Sequence, residues 1–133
     1  MPIRLNHTIV PATDKRASAE FLASILGLAV GEPSGPFVPV RLGDATTLDF
    51  ADVDFADRGI RAITPHHYAF EVDDGVFDQI FSRVVQKGLN YYAEPHEPHR
   101  YGEINTSRRG RAVYFDDPDG HIMEVMTTTN HDG

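Results

Sequence analysis

The sequence contains no cysteine, which excludes a disulfide framework, a thiolate metal site and a cysteine nucleophile. It also lacks any apolar run near the roughly 20 residues that span a bilayer, and its first residues carry no apolar stretch of the signal-peptide kind. No membrane partner is expected, and the cytoplasm is the expected location. Basic residues are the minority: 12 Lys and Arg against 20 Asp and Glu leave a formal charge of -8. A nucleic-acid partner would need a basic footprint, so none is expected. What remains is a chain of 133 residues, 41% apolar and 24% charged, the size and balance of one soluble domain with a real core.

The residues that are present fall into a repeating order. Arg4–Val10 is a short β-type run ending at Pro11, and Thr13 or Asp14 can cap a helix after it. Ala17, Phe21, Leu22, Ile25 and Leu26 recur at helical spacing, and Gly27 suits the residue that ends the helix. Phe37–Leu42 and Ala45–Ala51 read as strands, with Pro39 pointing to an edge or a bulge. His66–Val72 opens a second round. Asp73 and Asp74 supply caps, Phe77, Ile80, Phe81 and Val84 trace a helical stripe, and Lys87-Gly88 closes it.

Leu89–Ala93 looks strand-like, and a long polar stretch, Glu94–Gly110, precedes a closing hairpin. In that hairpin Arg111–Phe115 and His121–Met126 flank Asp116-Asp117-Pro118-Asp119-Gly120, a strong turn signal. From His7 to Gly27 is 20 residues and from His67 to Gly88 is 21, so strand, cap, helix and glycine recur in register. The chain is a βαβββ duplication, an α+β domain over 1–133 with module one at about 3–52 and module two at about 65–127.

The duplication gives four polar strand residues a common meaning. His7 and His67 sit at equivalent places on the first strand of each module, and Asp49 and Glu124 at equivalent places on the last. A carboxylate between Met123 and Val125 ordinarily points at solvent, but side-chain alternation also places Glu124, like Asp49, on the face away from the helices. Imidazole and carboxylate together suit a borderline divalent metal: Fe, Mn, Ni, Zn or Co. His66 shares its parity with Tyr68 and Phe70 and reads as structural, and His121 reads as a local hydrogen-bonding residue of the turn. The polar stretch is locally basic, with His96, His99, Arg100, Tyr101, Arg108, Arg109 and Arg111; Arg100 and Tyr101 are the expected substrate contacts.

LNHTIV followed by a helix ending LGL, then HHYAFEVDD, then YFDDPDGHIMEVM, resembles the vicinal oxygen chelate superfamily from about Leu5 to Met126. That superfamily includes glyoxalase I, fosfomycin-resistance thiol transferases, extradiol dioxygenases and bleomycin-binding proteins. The resemblance implies paired βαβββ modules forming a half-barrel cleft, commonly in a homodimer. It implies His7, His67 and Glu124 as metal ligands, and Asp49 stands where glyoxalase I has a fourth ligand, a Glu. The expected function is a divalent-metal enzyme acting on a small oxygenated substrate by lyase or isomerase chemistry, thiol addition or ring-cleaving dioxygenation. The alternative is a metal-free protein that sequesters a small molecule, of the bleomycin-resistance type.

Overall fold

The computed structural model describes residues 3–43, 46–53, 63–106 and 110–127. The chain divides into two compact units, Met1–Thr64 and Pro65–Gly133, and among the described residues each has one open three-stranded mixed sheet with one long helix. Among the described residues, no helix is long and apolar enough to cross a membrane.

Unit one runs β1 (His7–Ala12), α1 (Lys15–Leu26), β2 (Phe37–Leu42) and β3 (Thr46–Asp52). The strand order is β1-β3-β2, with β1 parallel and β2 antiparallel to the central β3. β1 continues through Pro11 to Ala12 instead of stopping at Pro11. Proline lacks the amide that a central strand must donate, and Pro11 and Pro39 both sit on edge strands, where that loss is tolerated. The helix begins where the Asp14 carboxylate accepts from the Ala17 amide at 3.1 Å and ends at Gly27, whose φ of 77° only glycine adopts without strain. Its apolar stripe buries Leu22 and Ile25, while Val10, Leu48 and Phe50 are buried from the strands.

Unit two repeats this as β4 (His67–Val72), α2 (Asp74–Gln86), β5 (Ala112–Asp116) and β6 (Ile122–Thr127), in the order β4-β6-β5 with the same parallel and antiparallel pairings. Asp73 caps α2 by accepting from the Val76 amide at 2.9 Å. Phe77, Ile80 and Val84 are buried, while Phe81 is half-buried with its ring stacked on Phe77.

Each unit is therefore a βαβββ-like module whose second strand is reduced to a bridge: Val30 to Val40 in unit one, Tyr92 to Tyr114 in unit two. Leu89–Ala93 does not form the expected strand. Tyr92 alone exchanges backbone hydrogen bonds with Tyr114, at 2.9 and 3.0 Å. The loop that follows is pinned to the β5 edge by a second bridge, Asn105 to Ala112.

The hairpin turn is held by one side chain. The Asp117 Oδ1 accepts from the amides of Asp119 and His121, both at 2.9 Å, and Gly120 takes a φ of 87° to close the loop. His121, wholly buried, also accepts at Nδ1 from the His66 amide at 2.9 Å. Its reach thus extends beyond the turn to the start of the parallel neighbour, β4. That bond makes His121 a structural residue that ties the turn to the start of β4. His66 packs its ring against Tyr68 and His121, in keeping with its parity.

Candidate functional site

Register fixes what faces what across each sheet. In unit two His67 lies opposite Ile122 and Ala69 opposite Glu124, while Tyr114 lies opposite Glu124 from the other side. Met123 and Val125 are buried on the helix side, so Glu124 projects from the opposite face, as alternation requires. It does not point at solvent: Glu124 is only 5% exposed. Its carboxylate oxygen Oε1 lies 2.9 Å from His67 Nε2, and the His67 ring meets Tyr114 edge-on at 5.9 Å between centroids.

A buried carboxylate is costly unless its lone pairs are used. Among the described residues His67 is the only hydrogen-bond partner of the Glu124 carboxylate, which leaves most of its acceptor capacity unspent. The spacing also suits shared coordination. Two ligands each about 2.1 Å from one metal at a right angle lie about 3.0 Å apart. The pair is therefore a fitting half of a metal centre. Among the described residues no group of three or more His, Asp or Glu is close enough to hold an ion.

Unit one carries the same register. His7 lies opposite Thr47 and Ile9 opposite Asp49, so Asp49 stands to His7 as Glu124 stands to His67. The chemistry differs. His7 Nδ1 is 2.7 Å from the Asn6 side-chain oxygen, and Asp49, one methylene shorter than Glu124, makes no hydrogen bond with His7. Instead His7 and Asp49 line a cavity of about 210 Å³ on the face opposite α1.

The expected substrate contacts are placed otherwise than basic composition suggests. Arg100 forks onto Glu94, Nε at 2.9 and 3.0 Å and Nη2 at 2.6 Å, and its Nη1 reaches Glu103 at 3.2 Å. Its charge is spent within its own loop, and the Arg100 guanidinium holds the Glu94 carboxyl below the usual carboxylate range. Tyr101 is 59% exposed and stands edge-on to Tyr92 and His99. Arg111 lies over the Phe77 ring and pairs with Asp74 and Asp78, fastening β5 to α2. Arg108 and Arg109 lie outside the described residues.

Two features were not expected from sequence. Tyr92 is 1% exposed, and its hydroxyl donates to Asp116 Oδ1 at 2.5 Å. Burial and the Asp116 carboxylate both push its phenol well above the ordinary range. Its ring is sandwiched between His99 at 3.9 Å and Tyr114 at 5.9 Å, so an aromatic stack runs from the loop to the side chain that flanks His67. Tyr114 was findable. Counting back from the turn puts it opposite Glu124. The Tyr92–Asp116 bond, 24 residues apart, left no local signal.

A family model described as Glyoxalase/Bleomycin resistance protein/Dioxygenase superfamily matches residues 4–125. Among solved structures the chain is similar to oxidase ChaP-H2, 47% identical, covering 98% of both chains with a TM-score of 0.87. Oxidase ChaP-H1 is 48% identical over 95% of this chain and 96% of that one, with a TM-score of 0.84. A curated relative, the metallothiol transferase FosB of Shouchella clausii, is 33% identical over 63 residues. That match spans 47% of this chain but only 38% of the relative's length.

Proposed function

The chain belongs to the glyoxalase/bleomycin resistance protein/dioxygenase superfamily, and on that premise we propose that it is a divalent-metal-dependent enzyme that oxidises a small oxygenated substrate with O2. The observation that carries the reading is the buried Glu124 carboxylate 2.9 Å from His67 Nε2. The two oxidases 47% and 48% identical over nearly the whole chain favour oxidation over lyase chemistry or thiol addition.

His67 and Glu124 are the ligands in unit two, and His7 is the third that the family pattern carries over. Asp49 holds the equivalent position in unit one, and with its shorter side chain it is not assigned to the metal. A centre of two imidazoles and one carboxylate with open positions supplies Lewis acidity toward chelating oxygens and, with iron, the means to engage O2. The chain's own residues do the positioning. Parallel strands β4 and β6 hold the two donors on one sheet, and Tyr114 braces the His67 ring. We further propose a homodimer, in keeping with the family habit.

The test is metal content before activity. Protein stripped with chelator is incubated separately with Fe(II), Mn(II), Co(II), Ni(II) and Zn(II), desalted and measured for bound metal. About one ion per chain is expected in the parent and little in His67→Ala. Oxygen uptake with catechols by the Fe(II)-loaded parent then distinguishes oxidation from glyoxalase-type isomerisation, which consumes no O2. A parent that retains no metal sinks the enzyme reading and favours a sequestering protein.

A further inference from the structure

Arg41, an exposed residue of β2, is among those that line unit one's cavity. Its wall is set by register: Arg41 on β2 lies opposite Thr47, and Pro39 lies opposite Asp49. Phe37 and Pro39 give it an apolar floor, and Arg41, Thr47, Ser34 and Asp49 bring polar atoms to it. The 210 Å³ is room that about seven waters would fill, enough for one end of a small organic molecule.

Two other arginines of the described residues are spent on structure. Arg100 is held by Glu94 and Glu103, and Arg111 by Asp74 and Asp78. The side chains of Arg41 and Asp49 make no hydrogen bond or ion pair with any described residue, although both line the same cavity. A guanidinium at a cavity wall offers a planar fork of donors, the geometry that matches a carboxylate. Asp49 offers only acceptors, which suit a hydroxyl. Arg41 and Asp49 are diagonal neighbours across β2 and β3, a relation that puts backbones about 7–8 Å apart. An anion touching Arg41 at half its distance from Asp49 feels an attraction twice the repulsion.

We propose that this cavity selects a small hydroxylated organic acid, with Arg41 forking onto its carboxylate and Asp49 accepting from a hydroxyl. The inference rests on the reading of the chain as an enzyme for a small oxygenated substrate and narrows that substrate to an acid. Arg41 is then the residue that sets specificity.

The experiment compares 3,4-dihydroxybenzoate with catechol, which differ by the carboxylate, by calorimetric titration at low salt. The proteins are the parent, Arg41→Gln and Arg41→Lys, each metal-stripped and Mn(II)-loaded. The parent is expected to prefer the acid by about tenfold or more. Arg41→Gln is expected to bring the two probes within about twofold while catechol binds as before, and Arg41→Lys to fall between. Equal affinity for the two probes in the parent, an undiminished preference in Arg41→Gln, or no binding of either probe at millimolar concentration overturns the inference. Metal content of the same preparations judges the enzyme reading separately. An Arg41-dependent preference in protein that takes up no metal keeps the inference and sinks that reading. Loaded protein without the preference does the reverse.

Discussion

Replacing Tyr92 with Phe removes a single oxygen from a fully buried aromatic of unit two. The ring that remains still stacks on His99 and Tyr114, so the change isolates the hydroxyl's bond to Asp116. A hydrogen bond to a charged group contributes about 1.5–3 kcal/mol. Asp116 is exposed, so water takes over its lost partner and the cost falls at the lower end, about 1.5–2 kcal/mol. A chain of 133 residues unfolds with an entropy of about 0.28 kcal/mol/K, so the expected fall in Tm is about 5–7 °C. Differential scanning calorimetry reads it directly. A cycle with Asp116→Asn and the double variant isolates the pair, and the two single losses are expected to exceed the double loss by about 1 kcal/mol.

The pH dependence has a definite sign. Burial and Asp116 raise the Tyr92 phenol in the folded state above its unfolded value. The contribution is therefore whole below about pH 10, the ordinary phenol value, and is lost as pH rises above it. The gap between parent and Tyr92→Phe is expected to narrow from pH 9 to pH 11. A variant melting within about 1 °C of the parent, or fully additive single losses, refutes the account of this bond.

Glu124→Gln keeps the shape of the side chain and removes its charge. Metal affinity is expected to fall by at least about 100-fold, as measured by competition with a chelating dye, while the urea midpoint holds or rises because a buried carboxylate is gone. Asp117→Asn retains the oxygen that accepts from Asp119 and His121 but removes a charge whose Oδ2 has no hydrogen-bond partner among the described residues. Burial raises the Asp117 carboxyl, so its contribution is whole below the ordinary carboxylate range and lost as pH rises through the raised value. The variant is expected to be at least as stable as the parent at pH 7 and to lose ground to it in urea titrations at pH 5; the opposite trend counts against the assignment.

Local chemistry made parts of this molecule legible. The first helix follows from Asp14 and Gly27 because a cap and a left-handed glycine act within a few residues. The equivalence of Asp49 and Glu124 followed from counting, and the strand registers bear it out. Burial was not legible: counting puts Tyr114 opposite Glu124, but nothing nearby in sequence says that His67, 57 residues away, meets its carboxylate. Arg100 shows the same limit in reverse, since composition marks a charge as present but cannot say that Glu94 pairs with it. Leu89–Ala93 has the residues of a strand, yet only Tyr92 finds a partner. A strand is made by its neighbours as much as by its own propensity.

In both units the strand that comes last in sequence lies in the middle of the sheet. A chain emerging from the ribosome therefore holds two edges with nothing to join them until β3, and later β6, has been made. His67 waits 57 residues for the carboxylate it faces, so any capacity of unit two to take up an ion arises only as its final strand slots home. A nick or stop before residue 122 would remove the keystone of that sheet and leave β4 and β5 without a common neighbour.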